Sequence, residues 1–452
     1  MTALNAVGGG AESAESAEVF SALGAVGSLD ITFNGQGWIS NDGAAGGNGD
    51  DEGRGVALDA SGRILVAGAS ISAAGSNDMA IWRVNDDGSL DLTFNGQGSV
   101  VHNDAAGGSG ADLGYGLVID ASGRLVVAGT SWAPGGTLAD LAVWRYNPDA
   151  SLDLAFGGLG FVTHHNAGGG GKEDVGRGTI LDASGRILVT GFSRRSGGND
   201  DMVIWRYDPD GSFDLTLNGQ GWVTHNTAAG GDKRDRGNAI ALDSAGRIVV
   251  AGRSRSLAGN EDLAVWRFNG DGSLDMTFNG QGWAVHDGAA GGGANDEGHG
   301  VAVDATDRIV VTGSSANGLG DIDMVTWRFN VDGTLDVTFG GQGWVSYDSA
   351  AGGLGADEGN ALTLEASGRI LVAGSSVNAA ANEDMTVWRL NADGTLDASF
   401  NGQGWIVHDN AAGGSGKDLG RAIILDPSSR ILVAGSSENA VGNLDMVVWR
   451  IN

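Results

Sequence analysis

An aspartate recurs once per repeat along this chain, at Asp51, Asp112, Asp174, Asp235, Asp296, Asp357 and Asp418. Three positions later the residue type changes from repeat to repeat: Arg54, Tyr115, Arg177, Asn238, His299, Asn360 and Arg421. Carboxylates gathered beside guanidinium, phenol and imidazole groups would hold a cation or a polar ligand. The same acids would otherwise cap turns and pair locally with the arginines, and the sequence leaves both roles open. Positions that break a repeat say more about function than those that obey it, because a repeated scaffold repeats its structural residues.

A second departure from the repeat is charge. Of 26 basic residues, 14 recur in every repeat, and eight of the remaining 12 fall in loops around the third and fourth units. They are Lys172, Arg194, Arg195, Lys233, Arg234, Arg236, Arg253 and Arg255. Gathered on one sector of an acidic molecule, they would meet an anionic partner, including the acidic surface of another copy, with Trp132 adding an apolar contact. Scattered solvated charge is the alternative.

Other residue types carry less. His102, His164, His225, His286 and His408 hold one equivalent place in successive repeats, too far apart to share an ion with bonds of ~2 Å. No repeat holds a private Ser-His-Asp or paired-carboxylate set. The turn Asn85-x-Asp87-Gly88-Ser89-Leu90-Asp91 resembles the oxygen-rich start of a calcium loop, so calcium is the one cofactor the sequence suggests. It lacks the later bidentate glutamate, and Asx side chains hold such turns without metal. The tryptophans of the GQGW segments (Trp38, Trp222, Trp283, Trp344, Trp405) would stack on sugar rings or pack a sheet edge.

The elements that position these residues follow from the repeat itself. Asp-(Met/Leu)-x-x-Trp-Arg occurs seven times, its tryptophans at Trp82, Trp144, Trp205, Trp266, Trp327, Trp388 and Trp449, spaced by 62 residues once and 61 thereafter. Units of that period stack on copies of themselves. Each unit reads as four short β-rich runs separated by Gly/Asn/Asp/Ser turns, as in GRGVALD, RILVAGAS, DMAIWRVN and GQGSVVHND. The sequence predicts an all-β, seven-bladed β-propeller of four-stranded antiparallel blades. The last unit lacks its GQGW strand and a spare one, residues 35–41, precedes the first, so closure as three strands plus one is expected. In such blades the variable residues from Arg54 to Arg421 ring one mouth of a central channel.

The pattern DGSLDLTFNGQG, DASGRILVAG, DMAIWRVN resembles the bacterial delta-60 repeat over residues 27–452. Local departures are Leu217 for the recurrent Phe, Ser99 and Phe161 for the GQGW Trp, and Ala150 for a turn Gly. The resemblance implies a propeller, often in exported or surface proteins, and implies no catalytic residues.

Composition bounds the rest. A formal charge of −30 argues against nucleic acid and anionic membranes as partners, both of which need a basic face. There is no cysteine, hence no disulfide framework. No apolar run approaches the ~20 residues that cross a bilayer, so membrane insertion is not expected. Residues 1–26 lack a basic start and a continuous apolar stretch, and read as a mobile arm with a short helix over 11–25, not as an intact signal peptide. The function expected from these features is a non-enzymatic binding or assembly module, extracellular or surface-associated. Its partner would be a protein or further copies of itself, joined through the loop face into rings or filaments. The alternative is a carbohydrate hydrolase or lyase at the channel mouth, or a glycan-binding propeller.

Overall fold

The computed structural model describes residues 25–108, 110–133 and 138–452, without the side chains of residues 232 and 233. The arm expected over residues 1–26 therefore lies, up to residue 24, outside the described residues. Among the described residues there is no helix. Short β-branched runs alternate with turns in which one residue takes positive φ, and this punctuation makes the sheets. In the turn after the first long strand, Asp59 Oδ1 accepts from the amides of Ser61 and Arg63 at 2.8 and 3.0 Å, and its Oδ2 accepts from Arg63 Nε at 2.7 Å. Gly62 takes φ +78° there, a conformation that costs glycine little.

The strands Gly46–Leu58, Ile64–Ser72, Asn77–Val84 and Ser99–His102 form one antiparallel four-stranded sheet in chain order. The same order recurs in sheets that begin at Asp112–Ile119, Gly291–Val303 and Gly352–Leu364. Between them an eight-stranded sheet consists of two such units, beginning at Asp174–Leu181 and Gly230–Leu242, joined by one parallel pair, Asp200 with Arg234. In the remaining sheet Trp38–Asn41 pairs with Leu444–Ile451, Trp38 opposite Trp449, followed by Ile431–Asn439 and Gly413–Leu425.

Apolar clusters lie between sheets. Val66 and Trp82 of the first repeat pack with Leu432, Met446 and Val448 of the last. All seven Trp-Arg tryptophans are fully buried. The arginine beside each is buried too, and its carboxylate partner justifies that. Arg267 donates from Nε to Asp275 at 2.8 Å, from Nη2 to Thr277 at 3.2 Å, and from Nη1 to the Val331 carbonyl of the following repeat at 2.6 Å. Its guanidinium lies 4.7 Å over the Phe278 ring. Burial alone would raise the Asp275 pKa, but the hydrogen bonds from Thr277 and the Arg267 charge hold it below the usual carboxylate value. Arg450 repeats the motif across the chain ends, with Nε on Asp30 at 2.8 Å and Nη1 on Asp86 at 2.8 Å.

Removing one partner of a buried pair strands the other charge. Asp275→Ala should therefore destabilise by about 3–5 kcal/mol, while Arg267→Met/Asp275→Leu together should cost far less. Urea unfolding of the three proteins measures this. Equal losses in the single and double variants would show that the pair does not act as a unit.

Candidate functional site

The first strand of each chain-order repeat, from Gly46–Leu58 to Gly413–Leu425, carries one residue too many for its ladder. The register of Gly46–Leu58 against Ile64–Ser72 slips between Gly53 and Gly55, leaving Arg54 as the bulged residue. The same slip isolates Tyr115, Arg177, Asn238, His299, Asn360 and Arg421. A bulge re-aims its extra side chain away from the pleat. All seven side chains line a single cavity of about 560 Å³, together with Glu52 and Glu358. Farther along the same strands Val56, Leu58, Leu117, Ile119, Leu181 and Leu425 line an apolar opening.

The cavity side chains are chained to one another from repeat to repeat. Arg54 lies 4.7 Å over the Tyr115 ring. Arg177 Nη1 donates to Asn238 Oδ1 at 2.8 Å, and Asn238 Nδ2 donates to the Gly298 carbonyl at 2.8 Å. His299 Nδ1 sits 3.2 Å from the Gly359 carbonyl, and Asn360 Nδ2 donates to the Gly420 carbonyl at 3.0 Å. Arg421 reaches Glu52 at 3.1 Å, and Arg54 reaches the same Glu52 oxygen at 3.3 Å. His299 Nε2 is 3.5 Å from Glu297. Burial would raise the Glu297 pKa, but His299 and Arg253 hold it down to about 2. Among the described residues the Glu358 carboxylate has no hydrogen bond or ion pair.

The recurrent aspartates do not join this cavity, and their expected place at the mouth is corrected. Asp51, Asp112, Asp174, Asp235, Asp296, Asp357 and Asp418 are all fully buried. Three positions from the bulge is an odd step, which sends the side chain to the opposite face of the strand. There each acid caps a turn: Asp51 accepts from the Gly43 amide at 2.9 Å, Asp235 from Thr227 at 2.9 Å and Asp357 from Ser349 at 2.9 Å. Of the residues two positions before the bulge, Glu52 and Glu358 line the cavity instead. Period-two alternation was the signal that identifies them.

The basic sector is largely ion-paired within the chain. Arg194 pairs with Asp200 and Glu173, both at 2.9 Å, and Arg195 with Asp201 at 2.6 Å. Arg234 pairs with Glu261 at 3.2 Å, Arg236 with Asp200, and Arg253 with Glu261 at 2.8 Å and with Glu297. Only Lys172 and Arg255 carry no ion pair among the described residues of that set, and the Lys233 side chain lies outside them. Trp132 is half-buried, its Cβ against the backbone at Gly110.

Histidines and GQGW tryptophans pack between sheets. Trp266 Nε1 donates to His225 Nδ1 at 3.0 Å and Trp449 Nε1 to His408 Nδ1 at 3.1 Å. Trp283 and Trp344 donate to the carbonyls of Ala228 and Ala289 at 3.1 and 2.9 Å. Asp87, the candidate calcium ligand, accepts from the Ser89 amide and hydroxyl at 2.9 and 2.6 Å.

Six segments match the family described as "Domain of unknown function (DUF5122) beta-propeller": residues 60–94, 121–156, 183–217, 246–278, 305–339 and 365–400. The chain is thus built of β-propeller repeats. No curated protein matches it. Among solved structures it is similar to the polysaccharide lyase Uly1, at 10% identity and TM-score 0.49, covering 88% of this chain and 90% of that one. It is similar also to a PL25 ulvan lyase, at 12% identity and TM-score 0.47, covering 92% and 96%. A GH93 α-L-arabinofuranosidase of Fusarium graminearum aligns at 11% identity and TM-score 0.43, covering 75% and 92%. The expectation of a non-enzymatic assembly module joined through a basic loop face is corrected here. The basic sector on which it stood is occupied by internal ion pairs.

The buried ionisable groups set a pH dependence. Burial raises Asp51, Asp112, Asp235, Asp262, Asp384 and Asp418 to about 6. Each favours the folded state fully below its unfolded pKa near 3.8, and that contribution is lost as pH rises through 6. Burial lowers His225 and His408 to about 4, and lowers His102 and His286. These four act oppositely, losing stability as pH falls below their unfolded value of 6.5. The two sets oppose each other between pH 5 and 7.5, so each is read by its own variant. Asp235→Asn should lower the thermal midpoint at pH 5 relative to that at pH 7.5, and His225→Gln should raise it. Shifts in the reverse directions would contradict this assignment.

Proposed function

We propose that residues 27–452 close as a seven-bladed propeller of delta-60 repeats, with residues 1–26 as a separate arm. The bulge-lined cavity at its axis is then the active site of a carbohydrate-active enzyme, a hydrolase or lyase working on polysaccharide. One observation carries this reading: every innermost strand contributes to a single polar cavity, and the contributions are chemically unlike. A purely structural ring would repeat one residue type seven times, as the buried tryptophans do.

Cleaving a glycosidic bond requires one group to deliver a proton to the leaving oxygen and another to take a proton. Glu358, His299 and Tyr115 supply carboxyl, imidazole and phenol groups to one space, and Glu358 is not committed to an internal partner. Glu52 is different: held by Arg54 and Arg421, it serves to fix those arginines. A volume of about 560 Å³ lies within the ~300–1,000 Å³ of small-ligand sites. The proposed setting is extracellular or at the cell surface, where polysaccharide substrates are met.

A turnover screen over plant, algal and microbial polysaccharides, followed by reducing ends and by absorbance of unsaturated products, tests the reading. Glu358→Gln and His299→Ala should each lower kcat/KM by about 10²–10⁴-fold with the thermal midpoint little changed. Absence of turnover on every polysaccharide, or full activity in both variants, would refute it.

A further inference from the structure

The protein carries 56 acidic residues against 26 basic ones, so nearly every arginine finds a carboxylate. The Trp-Arg arginines meet buried aspartates, as Arg267 meets Asp275. In and around the cavity, Arg54 and Arg421 share Glu52, Arg236 takes Asp200, and Arg253 takes Glu261 and Glu297. Arg177 is the exception. Among the described residues its guanidinium meets no carboxylate: Nη1 donates to the neutral Asn238 side chain, and the Phe192 ring lies 5.7 Å away. Its Nε is buried with no hydrogen-bond partner.

Leaving a partly buried charge without a counterion costs stability, typically several kcal/mol when burial is complete. In so acidic a chain an opposite charge was readily at hand, and the neighbouring Arg236 and Arg253 both have one. Lys172 and Arg255 also lack ion pairs, but Lys172 is exposed and Arg255 only half-buried, and neither faces the cavity. A guanidinium presents a planar fork of donors that fits a carboxylate or sulfate. A neutral sugar placed there would displace water and leave the charge uncompensated.

We infer that Arg177, held by Asn238, is an oxyanion subsite and that the glycan received by the cavity is acidic, bearing a carboxylate or a sulfate. This rests on the carbohydrate-active reading and adds the charge of the substrate. Arg177 is a specificity residue in this account. Glu52 and Glu358, also on the cavity wall, disfavour the acidic group, so it is directed towards Arg177.

The full chain is titrated calorimetrically with a galacturonate oligosaccharide, a sulfated oligosaccharide and a neutral cello-oligosaccharide. At least one acidic probe should bind about tenfold or more tightly than the neutral one, and added salt should weaken it. Arg177→Gln should lose about tenfold or more of that affinity, with Arg177→Lys between it and the wild type. The arm that binds distinguishes carboxylate from sulfate. The thermal midpoint of Arg177→Gln should equal or exceed that of the wild type, since an uncompensated charge is removed. Equal affinity for the neutral probe, no binding of either acidic probe, or unchanged affinity in the variants overturns the inference. If neutral polysaccharide is nonetheless cleaved, only the acidic subsite falls; if no glycan is bound or cleaved, the carbohydrate-active reading falls with it.

Discussion

A buried guanidinium paired with a buried carboxylate recurs in every repeat, and in most it also couples one sheet to the next. Arg83, Arg206, Arg267 and Arg328 are each committed three ways: to an aspartate eight residues on, to a nearby hydroxyl, and to a carbonyl in the following repeat. Neither charge can be buried without the other, so the pair fixes the spacing of the turn, the strand and the next sheet together. The flat tryptophan fills the gap alongside. The same arrangement brings Arg450 onto Asp30 and Asp86, so the last repeat meets residues of the first described segment.

With the sheets fixed in this way, variation in residue type is left to the position that the ladder does not use. A bulged position pairs with nothing in its own sheet, so its side chain is free to differ between repeats without loss of strand pairing. That is where Arg54, Tyr115, Arg177, Asn238, His299, Asn360 and Arg421 stand. Scaffold and site are separated residue by residue within a single strand. Gly53 belongs to packing, because a Cβ there would lie 2.8 Å from Val66 and 3.0 Å from the Gly435 carbonyl. The next residue, Arg54, belongs to the cavity.

That separation explains what was legible in the sequence. The all-β character and the four-stranded sheets follow from turn residues and β-branched runs alone. The variable position was visible because it breaks the repeat. The aspartates three residues earlier misled, since a conspicuous carboxylate looks the same whether it faces a cavity or caps a turn; only the pleat decides. Glu52 and Glu358 lay two residues from the bulge, where alternation puts them on the cavity wall. The apparent basic sector was a matter of counting one sign of charge. Asp200 and Glu261 stand in the same repeats as Arg194, Arg236 and Arg253, Glu297 stands in the next, and these bases and acids neutralise each other in space. Arg177 looked like one basic residue among several, and its isolation appears only when every other partner is located.

The bulge-lined cavity is the proposed place where a ligand is held. Hydrogen–deuterium exchange in the presence and absence of a saturating oligosaccharide measures that location directly. Protection should concentrate on backbone amides of the innermost strands around residues 52–54, 114–116, 176–178, 298–300 and 358–360. Protection confined to the outer strands Trp222–His225, Trp283–His286 and Trp344–Tyr347 would place the ligand at the sheet edges and contradict it.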